Sequence, residues 1–317
     1  MEPSQRAVGA YHDDQVLSLN IESSHGFSQA RSKVRLLVQK VQQPWTLSCG
    51  MVAVILDDTE EAAVTFLKLF DRRWAYQLRS DNGIQPWTTH IEESYANFVQ
   101  CGRVANFLEK LNHEEGFKDT QDCWDDAENE AFLTQELGSL YTAETATYDA
   151  LQEYQGKILP RLMAKVTLDL VPENQVPSDM LGHLQVKGIL LQYLPGFTLS
   201  ALDQHAPRQA WQGVVDEAVR ITRMLGDVNV LNSDVRPGNF MVVPTANDEY
   251  RVYIIDLGQC RFRQTHESDK EWGRAKWQQD EEGAIGMVMR QRLRRSGFEY
   301  KFEPSMRYLE WAPGEDD

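Results

Sequence analysis

In this 317-residue chain, Asp234 and Asn239 flank the sequence Val235-Arg236-Pro237-Gly238, and Asp256 follows the apolar run Val252-Tyr253-Ile254-Ile255. These types suit chemistry on a hydroxyl and a hard cation. A carboxylate can accept the hydroxyl proton, which suits Asp234, while Mg²⁺ prefers oxygen ligands such as the Asn239 amide and the Asp256 carboxylate. The plainer alternative is a turn feeding a buried strand, since Asp, Pro, Gly and Asn are common turn formers. The rest of the chain has to decide between them.

Two more candidates depend on the elements that carry them. The run from Ala62 to Phe70 reads as a strand interrupted by one Lys, Lys68. A bare ammonium is costly to bury, so Lys68 needs an anionic partner or must reach solvent along an edge. A helix pattern expected over 142–156 puts Glu144, Tyr148, Leu151 and Gln155 on one face, and Glu144 is the carboxylate that could hold Lys68.

Lys68, Glu144, Asp234, Asn239 and Asp256 occur in the order of the lysine, helix glutamate, catalytic aspartate, metal asparagine and metal aspartate of the protein-kinase-like superfamily. The phrases Asp-Val-Arg-Pro-Gly-Asn-Phe, Ile-Asp-Leu-Gly-Gln-Cys-Arg-Phe-Arg and Asp-Glu-Glu-Gly-Ala-Ile-Gly resemble a divergent group of kinase-like proteins common in filamentous fungi. The resemblance spans roughly residues 33–295. It implies an α+β, bilobal protein-kinase-like fold: an N-lobe antiparallel sheet plus one helix, and a reduced helical C-lobe. It also implies ATP and Mg²⁺ as cofactors. Lys68 and Glu144 would then hold the nucleotide phosphates, backbone groups at Gln192 and Leu194 the adenine, and Asn239 and Asp256 the metal. Asp234 would act as base, and Arg236 would neutralise charge on a transferred phosphoryl group.

The chain also departs from that family. Between its first two expected strands, 41–50 holds one glycine where protein kinases have a glycine-rich loop. Asn232 replaces the catalytic-loop His, and Leu257 the Phe after the metal Asp. No Ala-Pro-Glu motif separates Gly258 from the acidic Asp280-Glu281-Glu282, which resembles the start of a helix that anchors the catalytic loop from below. That missing segment presents peptides in protein kinases, so a small-molecule acceptor ranks above a protein.

Composition bounds the partners. The formal net charge of −16 argues against unspecific binding to nucleic acid or an anionic membrane and suits a cationic acceptor, although acidity also simply aids solubility. The four cysteines are dispersed without Cys-x-x-Cys spacing, and no His-Glu-x-x-His pair points to a transition metal. No apolar run approaches the length needed to span a bilayer and no leader pattern opens the chain, so the expected location is cytoplasmic.

Along the chain, 1–31 reads as a polar N-terminal tail, 32–194 as an N-lobe with a long insertion at about 72–140, and 195–317 as the reduced helical C-lobe. Three apolar runs at 34–41, 50–56 and 64–70 suggest an antiparallel meander. One amphipathic helix is expected through Tyr95 to Leu111, followed by an acidic run at 119–130 that serves as a solvated linker, a helix start or a cation-attracting element. Pro207 through Gly226 reads as a long helix with a core-facing stripe. Arg261 and Arg263 are expected near the proposed centre or paired with Asp280 to Glu282.

The leading reading is an Mg·ATP-dependent transferase acting on a small acceptor, a cationic one being an option that the acidic composition leaves open. Two others stay open: a pseudokinase interaction scaffold, and a kinase-like fold reused in natural-product biosynthesis, such as synthesis of arginine-containing cyclodipeptides from aminoacyl-tRNA. In that last reading alone, tRNA is a partner.

Overall fold

The computed structural model describes residues 10–25, 32–56, 63–170, 180–246 and 249–313. The fold is mixed α+β with antiparallel sheets. Two compact units divide it: Met1–Thr142 with Leu162–Tyr193, and Ala143–Arg161 with Leu194–Asp317.

In the first unit, six antiparallel strands close into a barrel: β1 (Val16–Ser24), β2 (Lys33–Gln42), β3 (Cys49–Ile55), β4 (Val64–Phe70), β5 (Leu162–Asp169) and β6 (Gln185–Gln192), in the order β1-β2-β3-β4-β6-β5. One expectation is corrected here: the segment read as a polar tail supplies β1, which lets the antiparallel sheet close on itself. The reason is that Leu17 and Leu19, two residues apart, share one face of the strand and are buried while Val16 and Ser18 on the other face are exposed, which turns one face of the stretch into core. β1 pairs with β2 on one side and β5 on the other, with an Asn20 to Asp169 side-chain bond of 2.7 Å across the closing seam. Closure removes the exposed edges that an open sheet would present. Leu17, Leu19, Val34, Leu36, Val38, Met51, Leu67, Leu69, Val166 and Leu190 fill the interior, each side chain contributing about 1.5–3 kcal/mol by burial.

Between β4 and β5 stand α1 (Tyr76–Asp81), α2 (Thr89–Gln100), α3 (Arg103–His113) and α4 (Asp126–Ala150), four helices where one helix of the lobe and one of the insertion were expected. Gly102, at φ +70°, breaks the pattern at 95–111 into α2 and α3, because a left-handed residue cannot continue a right-handed helix. α4 starts well before 142. Asp125 accepts from the Glu128 amide at 2.8 Å while Glu128 accepts from the Asp125 amide at 2.9 Å, a reciprocal cap that the acidic composition of 119–130 hid. Trp124, within that run, packs against Phe107, Phe117 and Phe132. The helices are tied to the end of β4 by charge: Glu130, fully buried, accepts from Arg72 at 2.6 Å and from Arg79 at 2.7 Å.

The second unit contains β7 (Phe197–Thr198), α5 (Leu202–His205), α6 (Trp211–Asp227), β8 (Val230–Asn232), β9 (Phe240–Pro244), β10 (Tyr250–Ile254), β11 (Cys260–Phe262), α7 (Asp269–Gln279) and α8 (Glu281–Arg295). α6 buries Trp211, Val214, Val215, Ala218, Ile221 and Leu225, the stripe expected from its spacing. It runs through Gly226, and the left-handed Asn229 follows its end. β10, β9 and β7 form one small sheet and β11 with β8 another, while segment 143–161 joins by the Ile254 amide donating to the Ile158 carbonyl at 2.8 Å. The stretch between Gly258 and Asp280 is not all loop, since α7 begins there with a Ser268/Glu271 capping box. No helix among the described residues is long and apolar enough to cross a membrane.

Candidate functional site

The β9–β10 hairpin decides where two of the candidates stand. Phe240 lies opposite Ile254, and beyond that pair the Ile255 amide donates to the Asn239 carbonyl at 2.9 Å. Asn239 therefore faces the residue just before Asp256 at the open end of the hairpin. Asp256 itself has φ +61°, a left-handed conformation that turns the chain out of the strand direction. For a non-glycine residue this is uncommon and costs about 1–3 kcal/mol, so the surrounding structure enforces it.

Asp234 and Arg236 come from the loop between β8 and β9. The Asn239 amide donates to both the carbonyl and the Oδ2 of Asp234, each at 2.8 Å. Arg236 donates through Nε to Asn239 Oδ1 at 3.2 Å and places its other end 3.3 Å from Asp234 Oδ2. Arg236 is more than half exposed, so this ion pair adds little stability and leaves the guanidinium able to turn to a ligand.

The loop is held from behind by Asn232 and Glu281, both marked by the sequence, and by Lys276, which was not. Asp234 donates its amide to Asn232 Oδ1 at 2.9 Å, Ser233 donates to the Gln259 carbonyl at 3.0 Å, and Asn232 donates its amide to Glu281 Oε1 at 2.9 Å. Glu281 is paired with Lys276, whose ammonium also donates to the Val230 carbonyl at 3.1 Å. Burial raises the Glu281 carboxyl, and the Lys276 charge opposes that rise. The resemblance of 280–282 to a loop-anchoring helix start pointed here; the partner Lys276 carried no such signal. The Asn232 side chain is buried, and among the described residues its Nδ2 has no hydrogen-bond partner.

A second buried group lies beside Asp256. Tyr148 is fully buried, its hydroxyl has no hydrogen-bond partner among the described residues, and burial followed by the charges of Glu144 and Asp256 pushes its phenol far up. Cys260 is shifted upward by burial and then by Glu144, Glu281 and Asp256. Glu144, one helical turn before Tyr148 on α4, and Asp256 thus both act on the Tyr148 phenol and the Cys260 thiol. Its spacing from Tyr148 was the only sequence signal for that phenol.

Of the remaining candidates, Leu194 belongs to the second unit and is buried. Lys68 and Gln192 belong to the first. Lys68 sits in β4 opposite Gly50 and Ile189, is buried, and places its ammonium 5.2 Å from the Phe70 ring centre. Gln192 ends β6 opposite Thr65. Arg261 and Arg263 do not pair with 280–282: Arg261 binds Glu267 at 2.9 Å and Arg263 binds Asp269 at 2.5 Å, because the turn into α7 brings those carboxylates nearer.

The donor set fits a hard cation. The Asn239 amide oxygen has two lone pairs, one of which takes the Arg236 proton, and Asp256 adds a carboxylate. Among the described residues no group of three or more His, Cys, Asp or Glu is arranged to hold a metal. Such a pair suits Mg²⁺, which draws many of its ligands from phosphate and water.

No protein-family model and no curated protein matches the chain. Among solved structures, the Rio2 kinase from Chaetomium thermophilum, crystallised as an ADP/Mg²⁺-phosphoaspartate complex, is similar over 86% of this chain with 13% identity and a TM-score of 0.47. This chain spans 61% of that one.

Proposed function

We propose that this chain has a kinase-like fold and transfers a phosphoryl group from Mg·ATP to a small acceptor, a cationic one being favoured by the net charge of −16. The observation that carries the reading is the arrangement of Asn239, which fixes Asp234 through its side chain and stands beside Asp256 through its backbone. Asn239 and Asp256 would hold Mg²⁺, which supplies charge neutralisation on the phosphates when bound. Asp234 takes the acceptor's hydroxyl proton. Its Oδ2 already receives the Asn239 amide, and among the described residues no side chain donates to Oδ1, which is the atom assigned to the proton. Arg236 swings from Asp234 to the transferred group. From the family resemblance, Lys68 and Glu144 serve the nucleotide phosphates, and the backbone at Gln192 and Leu194 serves the base.

The test combines a thermal shift with Mg·ATP and a search for phosphorylated small molecules in cells expressing wild type, Asp256→Ala or Asp234→Asn. Expected are a Mg²⁺-dependent shift lost in Asp256→Ala and a phosphorylated metabolite lost in Asp234→Asn. No shift, with Asp256→Ala indistinguishable from wild type, would overturn the proposal. Binding without turnover selects the pseudokinase scaffold, and an arginine-containing cyclic dipeptide made from charged tRNA without ATP selects the biosynthetic reading.

A further inference from the structure

The segment that follows α8, residues 298–311, has little regular structure of its own, yet it is bound along α6, α7 and α8 at every few residues. Gln212 donates to the Lys301 carbonyl at 3.0 Å and accepts from the Lys301 amide at 3.1 Å. Tyr300 donates to Asp216 at 2.9 Å, and Arg223 donates to the Glu303 carbonyl at 2.8 Å. Ser305 donates both its amide and its hydroxyl to Glu282, and Arg307 pairs with Asp227.

Two helical glycines make room for it. The Phe302 ring lies where a side chain at Gly286 of α8 would go, and the Trp311 ring does the same at Gly273 of α7. Glycine inside a helix weakens it relative to alanine, so both helices accept a propensity loss at the two places where the segment seats an aromatic ring. The segment also walls a cavity of about 330 Å³ with Lys276, Glu281 and Glu282 in its lining.

Its attachment point is adjacent to the anchor of the candidate loop. Glu282, which holds Ser305 and Arg223, is the neighbour of Glu281, which holds the Asn232 amide and Lys276. Asn232 in turn holds the Asp234 amide. We propose that residues 298–311 act as a strap that positions the loop bearing Asp234, through Glu282 and Glu281 at the start of α8. Released, the strap leaves that helix start free to shift, and the loop loosens without unfolding of the unit. The proposal rests on the reading of Asp234 as part of the active site for its consequence, but its test needs no activity.

The test is amide hydrogen exchange, without nucleotide, on the full chain carrying Gly273→Ala and Gly286→Ala. A merely structural role for the glycines predicts stronger helices and no faster exchange elsewhere. The strap predicts faster exchange at 298–311 and, with it, at least tenfold faster exchange at the Asn232, Ser233 and Asp234 amides, while α6 stays protected. Fast strap amides with unchanged loop amides would overturn the proposal. If alanine is accommodated and the strap stays protected, Ser305→Ala with Trp311→Ala removes the grip from the strap's side, and the same two readings decide. Phosphoryl transfer absent in wild type would sink the proposed function but leave this exchange result standing.

Discussion

Asn239 donates one side-chain amide to two oxygens of Asp234, its carbonyl and its carboxylate, each at 2.8 Å. One side chain therefore fixes both the backbone and the functional end of the residue assigned as base.

Asn239→Asp separates that role from metal binding. An aspartate keeps an oxygen ligand for a cation but sets a carboxylate against two acceptors, losing both hydrogen bonds. Stability should fall by about 1–3 kcal/mol in urea denaturation, with loss of Mg·ATP-dependent turnover. Unchanged stability with tighter Mg²⁺ binding would mean that Asn239 serves the metal alone.

Glu281 and Lys276 are both buried, and each would be stranded without the other. Glu281→Ala should cost about 3–5 kcal/mol, because it leaves a buried ammonium and an orphaned Asn232 amide. The double variant Glu281→Gln, Lys276→Met removes both charges while retaining an acceptor for Asn232, so its loss in chemical denaturation should be clearly smaller than that of Glu281→Ala.

The first unit should show an acid-sensitive element at Asp71. Burial alone would raise this carboxyl, but the charge and paired bonds of Arg73, with the Tyr11 hydroxyl at 2.7 Å, bring it below its ordinary value of 3.8. The unfolded chain then binds the proton more readily than the folded one. Its stabilising contribution is complete above the ordinary value and is lost as pH falls through the lowered one. Asp71→Asn should flatten the acid limb of a stability-against-pH curve below about pH 4 relative to wild type, a window set by the ordinary aspartate value. An identical slope in both proteins would refute the assignment.

Thiol accessibility gives an independent check on packing. Cys101 and Cys123 are exposed, whereas Cys49 and Cys260 are buried, with burial and then Asp71 or Glu144 raising their thiols. A disulfide reagent at pH 8 should modify two thiols quickly in the native protein and the other two only after denaturant is added. Rapid native labelling of Cys260 would contradict the packing beside Asp256.

Much of the local structure is legible in the residue pattern. β2, β3 and β4 follow from three apolar runs, and the core stripe of α6 follows from its 3.6-residue spacing. β1 escaped because only one face of it is apolar, and its other face reads as a polar tail. The start of α4 escaped because a cap made of Asp125 and Glu128 looks like any other acidic run until the two are seen to bond each other.

By itself the sequence determined that Asp234, Asn239 and Asp256 would flank a turn and a strand, since turn formers and an apolar run act over a few residues. Only the tertiary structure decided what holds them. The Ile255 to Asn239 bond depends on hairpin register, and the support of Asp234 by Asn232, Glu281 and Lys276 joins residues far apart in the chain. A buried Lys or Glu announces only that it needs a partner, and which partner it has is settled by the packing that brings distant helices and strands together.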